Sequence, residues 1–156
     1  MAVIGSGTCA QDSETARLAE QVGRLLAGEG AAVVCGGLGG VMEAVCRGAS
    51  GAGGTAIGIV PGNAIAAANP HCTHVVATGI GHARNLAVVS SGEVAIAVGG
   101  EWGTLSEIGF ARAIGRPVVT LHSWEVRGRE AMADAPGITA AETPAEAVAA
   151  ALAALR

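Results

Sequence analysis

The chain contains no lysine, and all nine of its basic residues are arginine. An enzyme that holds pyridoxal phosphate as an internal Schiff base needs a lysine amine, so this chain alone supplies none. Charge of either sign is scarce. Charged residues make up 14% of the chain against 51% hydrophobic ones, and the mean hydropathy is +0.50. So little charge implies that part of the surface is covered by another subunit, and a homo-oligomer, dimer or tetramer, is expected. The arginines are scattered and the net charge is −4, which leaves no electrostatic footprint for nucleic acid. No apolar run approaches the roughly 18 residues that span a bilayer, and Met1-Ala2-Val3-Ile4-Gly5 lacks the charged and apolar regions of a signal peptide. A cytoplasmic protein with no membrane partner is expected. Cys9, Cys35, Cys46 and Cys72 are too widely spaced for a zinc knuckle or a CxxC redox pair, and they read as reduced, mostly buried small apolar residues. His71-Cys72-Thr73-His74 has no carboxylate or further histidine close in sequence, so no metal site is expected.

What is present is an alternation. At 156 residues the chain has the length of one domain, 1–156. Short apolar runs at 2–4, 31–35, 55–60, 75–78, 93–98 and 116–121 predict six strands, and helical patterns fall between them. Leu18, Val22, Leu25 and Leu26 place one face of the first helix on a sheet, with Asp12 or Ser13 at its start and Gly28 and Gly30 at its end. The second helix buries Val41, Val45 and Ala49. Val148, Leu152 and Leu155 give the last helix an apolar face. Residues 63–73 form an alanine-rich loop, a candidate lid or subunit contact, and 122–137, with Trp124, Arg127 and Arg129, carry no assignable task.

Four stretches between these elements carry the chemistry. Gly5-Ser6-Gly7-Thr8-Cys9-Ala10 has the permissive dinucleotide pattern G-x-G-x-x-A, but the strand that should end in a ribose-binding carboxylate ends in Gly36-Gly37 instead. A nicotinamide-dependent dehydrogenase is disfavoured. Gly36-Gly37-Leu38-Gly39-Gly40 spends four glycines in five positions, which backbone entropy makes costly unless the chain approaches a ligand or a neighbouring strand closely. Arg84 falls in the first turn of a helix, where the dipole opposes a cation; a carboxylate such as Glu107 or an anionic ligand compensates it, with Asn85 as companion. Finally, Gly99-Gly100-Glu101-Trp102-Gly103-Thr104-Leu105-Ser106-Glu107 joins a buried strand to a helix running from Leu105 to Ile114, the geometry that aims backbone N–H groups at an anion. Thr104-Leu105-Ser106-Glu107 also fits a capping box, as Thr143-Pro144-Ala145-Glu146 does. Glu107 is therefore open to either role, cap or site residue, or both.

Alternating strands and helices predict an α/β fold, a Rossmann-like three-layer sandwich with a mostly parallel sheet. Right-handed crossovers put the glycine turns at the carboxyl ends of the strands, where one phosphate-bearing ligand would account for all four stretches.

With these residues assembled, the chain resembles, over roughly residues 2 to 121, the Rossmann-like superfamily of the Lonely Guy cytokinin-activating phosphoribohydrolases and the proteins labelled as lysine decarboxylases. Cys35 to Val45, Ala83-Arg84-Asn85 and Gly103-Thr104-Leu105-Ser106-Glu107 most resemble the branch of the molybdenum cofactor carrier proteins. The phosphoribohydrolases carry P-G-G-x-G-T-x-x-E and an arginine-lysine pair. The resemblance puts their proline at Gly99, their glycines at Gly100 and Glu101, their catalytic glutamate at Glu107, their arginine at Arg84 and their lysine at Asn85. Glu101 would repel a phosphate if it points inward, and Asn85 removes a ligand contact. The decarboxylase label does not suit a chain without lysine.

The resemblance implies, first, a binding protein whose crevice, built from Gly5, Ser6, Gly7, Thr8, Gly36, Gly37, Leu38, Gly39, Gly40, Arg84, Asn85, Gly99, Gly100, Gly103 and Thr104, holds a phosphate-bearing pterin or nucleotide, with the molybdenum cofactor as cargo and no cofactor required. The alternative is a phosphoribohydrolase that cleaves the N-glycosidic bond of a nucleoside 5′-monophosphate, in which Arg84 and Glu107 are catalytic. A third reading is an oligomeric scaffold whose glycines serve packing.

Overall fold

The computed structural model describes residues 1–126 and 137–155. Seven strands form one sheet: β1 (Ala2–Gly5), β2 (Val33–Cys35), β3 (Ala56–Val60), β4 (His74–Ala77), β5 (Ala95–Val98), β6 (Val118–Leu121) and β7 (Ile138–Ala141). Their order is β4-β3-β2-β1-β5-β6-β7, and every pairing is parallel. The chain builds outward from β1 in one direction through β4, then returns to lay β5 against the other edge of β1. The carboxyl ends of β1 and β5 thus flank the topological switch point, where flanking loops diverge and leave a crevice.

Side chains alternate across the sheet. Val3, Ile96 and Val98 enter one layer with α1 (Glu14–Gly28), α2 (Val41–Gly51) and α5 (Pro144–Ala153). Ala2, Ile4, Ala95 and Ala97 enter the other with α3 (Arg84–Ser91) and α4 (Trp102–Ala113). The period of two along each strand produces the three-layer sandwich. Among the described residues the second layer holds two helices, and Leu86, Phe110 and Ile114 are exposed on them or just beyond.

Several details depart from the sequence expectation. Ser13 is the N-cap of α1, accepting from the Ala16 N–H at 3.2 Å, but the buried stripe runs through Ala16, Ala19, Val22, Gly23 and Leu26, while Leu25 is 39% exposed. The reason is close helix packing: a Cβ on Gly23 would collide with the Val45 carbonyl and one on Gly48 with the Glu20 carbonyl, so α1 and α2 meet backbone to backbone and small residues form the seam. Leu155 is likewise exposed, and α5 buries Pro144, Ala147, Val148 and Ala151. Strand β7 was not expected. The unassigned stretch also includes Arg127 and Arg129, which lie outside the described residues.

The four cysteines are free thiols. Cys35 and Cys46 are buried, their sulfurs 3.4 Å apart, and Cys46 lies 3.7 Å from Cys72. The neighbouring Cys35 thiol and burial push Cys46 up to about 12, so it packs as a neutral small apolar group. Among the described residues, no group of three or more His, Cys, Asp or Glu side chains is placed to hold a metal ion, and no helix is long and apolar enough to cross a membrane.

Candidate functional site

A cavity of about 180 Å³ opens at the carboxyl ends of β1 and β5. Its β1 side is Gly5, Ser6 and Gly7; its β5 side is Glu101, Gly103, Thr104 and Glu107; Gly36 and Met42 come from the β2–α2 connection, and His82, Arg84 and Asn85 from the start of α3. All four stretches singled out in the sequence contribute to it.

The floor is a buried ion pair. Arg84 is 8% exposed and Glu107 6%, with Arg84 Nη1 3.8 Å from Glu107 Oε1. Burial pushes the Glu107 carboxyl up to about 7, although the Arg84 guanidinium pulls the other way; burial also lowers Arg84, which Glu107 and Cys35 oppose. Arg84 Nη1 also donates to Asn85 Oδ1 at 2.5 Å, and Nη2 lies 3.9 Å from the Met42 sulfur. Its Nε is buried with no hydrogen-bond partner among the described residues. An arginine with an unanswered donor, in a cavity and at the helix end where its charge is least welcome, has a standing attraction for an anion.

The capping box that Thr104-Leu105-Ser106-Glu107 fits in sequence does not form, so of the two roles open to Glu107 the cap is not the one it takes. Gly99 (φ 56°) and Gly100 (φ 127°) turn the chain at the end of β5, so α4 begins at Trp102 with Glu101 as its N-cap residue. Thr104 is then already inside the first turn and buried, and Glu107 follows it on the inward face with Ile108 and Ala111. The Glu107 carboxylate faces Arg84, away from the helix end. Glu101 makes no side-chain bond to its own helix either. Its Oε1 accepts instead from Ser6 Oγ at 2.8 Å and Thr8 Oγ1 at 2.6 Å, and these bonds hold its carboxyl below the usual range. The Trp124 indole N–H donates to the Glu101 carbonyl at 3.2 Å, and Trp124 packs against Trp102 in a tilted arrangement with ring centroids 5.1 Å apart.

The expected glycines divide by task. Gly36 lines the cavity, and a Cβ there would lie 2.5 Å from Arg84 Nη2, so its missing side chain is the space the guanidinium occupies. Gly37, Leu38, Gly39 and Gly40 do not line it. A Cβ on Gly37 would press on Gly58 and Val60, and one on Gly40 would strike the Ser6 carbonyl. Their loop is braced by Gln11 Nε2 on the Gly40 carbonyl at 3.1 Å and by Asn69, whose N–H reaches the Gly37 carbonyl at 2.8 Å and whose side chain reaches Leu38 at 3.0 Å. The alanine-rich loop thus supports the glycine loop. Gly99 and Gly100 face a separate shallow recess with His122, Ser123 and Trp124. The lining residues missed in the sequence are Val3, Ile4, Met42 and His82; Glu101 drew notice only as a departure from a motif.

A second, more apolar cleft of about 520 Å³ adjoins the first and shares His82, Asn85 and Gly103 with it. Leu86 and Phe110 form its walls. The polar cavity alone is below the size of most ligand pockets, about 300 Å³ and upward. The two together reach that range.

An all-parallel sheet reversing at β1 and β5, with glycine turns and a buried arginine-glutamate pair under the reversal, defines a Rossmann-like α/β protein. Sequence comparison narrows this: the model of the SLOG cluster4 family matches residues 1–148, and the chain belongs to that family. An uncharacterized protein of Archaeoglobus fulgidus is 42% identical over 146 residues, covering 94% of this chain and 89% of its own. Among solved structures, the molybdenum cofactor binding protein of the phototrophic bacterium Rippkaea orientalis superposes with a TM-score of 0.88 at 32% identity, covering 99% of this chain and 95% of that one. The molybdenum cofactor carrier protein of Chlamydomonas reinhardtii gives 0.84 at 31% identity, covering 98% and 95%. The resemblance to the carrier branch holds.

Proposed function

We propose that the chain binds a phosphate-bearing, pterin- or nucleotide-like small molecule in the crevice at the switch point, and that it serves as a carrier of the molybdenum cofactor. The observation that carries this reading is Arg84, buried beside the cavity with an Nε that has no partner among the described residues. Its charge is only partly answered by Glu107, because burial favours the protonated carboxyl. A ligand phosphate would complete the pairing. The likeness to a cofactor-binding protein and a carrier protein supports the cargo. The exposed Leu86, Phe110 and Ile114 on the α3–α4 side support assembly with further copies of the chain.

The test is what the purified protein holds and binds. Mass spectrometry of the native protein is expected to find a pterin or nucleotide, and calorimetric titration to show binding of molybdenum cofactor or nucleoside monophosphates without turnover. A protein that takes up none of these across a broad panel is not a carrier.

A second reading is favoured by one observation, a Glu107 carboxyl raised to about 7 beside an arginine. A carboxyl near neutrality at a sugar–base bond can act as general acid or base, so the same crevice suits hydrolysis of a nucleoside 5′-monophosphate. Release of free base from AMP, abolished in Glu107→Gln, supports it; equal background rates in both proteins dismiss it.

A further inference from the structure

The crevice has two ends of opposite sign. At the floor, Arg84 offers a buried guanidinium whose Nε has no partner among the described residues. At the mouth, Glu101 offers a carboxylate held by two hydroxyls, Ser6 and Thr8 both donating to Oε1, on a backbone whose carbonyl accepts from the Trp124 indole. Both hydroxyls lie within donating distance of the carboxylate, and they are 3.1 Å from each other. A phosphate cannot use these donors without displacing Glu101, so the β1 loop is already supplied with an anion. Oε2, by contrast, accepts from none of the described residues, and Glu101 is an exposed residue on the cavity lining. An oriented carboxylate with an open oxygen is an acceptor waiting for N–H donors.

We propose that Glu101 sets ligand specificity: its carboxylate receives the ring N–H and exocyclic amino group of a 2-amino-4-oxopyrimidine edge, the edge shared by guanine and pterins, while Arg84 takes the ligand's phosphate. This rests on reading the crevice as the ligand site, and it adds the direction in which the ligand lies. Guanine presents two adjacent donors to such an acceptor. Hypoxanthine keeps the ring N–H and lacks the amino group, and adenine turns a ring acceptor toward the carboxylate, which is repulsive. Preorganisation by Ser6, Thr8 and Trp124 means that little ordering is left to be done on binding.

The experiment is calorimetric titration of the full chain, cleared of co-purifying ligand, with GMP, IMP and AMP. GMP is expected to bind about tenfold more tightly than IMP, the size of one charge-assisted hydrogen bond, with AMP weakest. Glu101→Gln should bring GMP and IMP together, and Thr8→Val, which keeps the charge and removes one of its anchors, should narrow the gap. Arg84→Gln should weaken all three nucleotides alike. Equal affinities for GMP and IMP in the wild type, lost together in Arg84→Gln, overturn the specificity role and leave the ligand site standing. Tighter GMP binding in Glu101→Gln overturns it too, because it shows a carboxylate that only repels phosphate. If none of the three nucleotides binds, the specificity role falls, and the ligand site then stands or falls with the molybdenum cofactor titration.

Discussion

Thr104-Leu105-Ser106-Glu107 and Thr143-Pro144-Ala145-Glu146 share a threonine and a glutamate three positions apart. At the second, Thr143 is extended, its side chain accepts from the Glu146 N–H at 3.2 Å, and the Glu146 carboxylate accepts from the Glu142 N–H at 2.9 Å. The pattern caps α5. At the first, the threonine is buried inside the helix, and the glutamate is turned inward against an arginine of the adjacent helix. What separates them is the residue that leads in. Pro144 at the first helical position fixes the start of α5 one residue after Thr143, whereas Gly99 and Gly100 turn the chain early enough for α4 to begin before Thr104. A capping pattern reports a helix start only when nothing upstream starts the helix sooner.

The largest difference between the two glutamates should appear on truncation. Glu107→Ala removes the only described carboxylate within ion-pair distance of Arg84 and leaves a buried guanidinium uncompensated, a change that costs about 3 kcal/mol or more when a buried pair is broken. Chemical denaturation is expected to show that loss, and a loss below about 1 kcal/mol would mean that Arg84 does not depend on Glu107. The second difference is a dependence on pH. A Glu107 carboxyl raised to about 7, against an unfolded value near 4.3, binds its proton more tightly in the folded state. Its stabilising contribution is complete below the unfolded value and is lost as pH rises through about 7. Unfolding free energy measured from pH 4 to 8 should therefore fall with pH by at most about 1.4 kcal/mol per unit from this group. In Glu107→Gln that slope should be shallower, and an unchanged slope would assign the titration to another group.

The sheet was legible because its inner strands are short apolar runs, the pattern that burial on both faces imposes, and β1, β2 and β5 are in addition closed by glycine. Strand β7 was not, since Ile138-Thr139-Ala140-Ala141 sits at the sheet edge, half exposed, with a single large apolar residue to mark it. The crevice was legible for the same reason as the sheet: parallel topology sends every strand end to one side. Its glycines were harder to sort. Gly36 makes room for Arg84 and Gly40 makes room for a backbone carbonyl, and a missing side chain has the same letter in both cases. Glu107 could have been assigned from spacing alone. Thr104, Glu107, Ile108 and Ala111 follow the i, i+3, i+4, i+7 rule of a buried stripe, and a charge on such a stripe needs an opposite charge facing it, which Arg84 supplies from the same layer.

The remaining tests probe the cap. Thr143→Ala removes the acceptor for the Glu146 N–H at an exposed helix end, and substitutions of this kind cost about 1 kcal/mol. Thermal melts should register it, and ligand binding at the distant crevice should not change. A matching Thr104→Ser is expected to leave α4 intact, since no cap is lost there.

The smallest effect belongs to Glu146. Its carboxylate accepts one backbone N–H at an exposed position, where water replaces the lost acceptor, and an exposed bond of this type is worth about 0.5 kcal/mol. Glu146→Ala should therefore shift unfolding by that amount or less, several times less than Glu107→Ala, although the two residues occupy the same place in the same four-residue pattern. Equal costs for the two substitutions would remove the distinction between cap and site. A near-zero cost at Glu146 with a large one at Glu107 would sharpen it, placing nearly all the energetic content of the repeated pattern in the copy that faces Arg84.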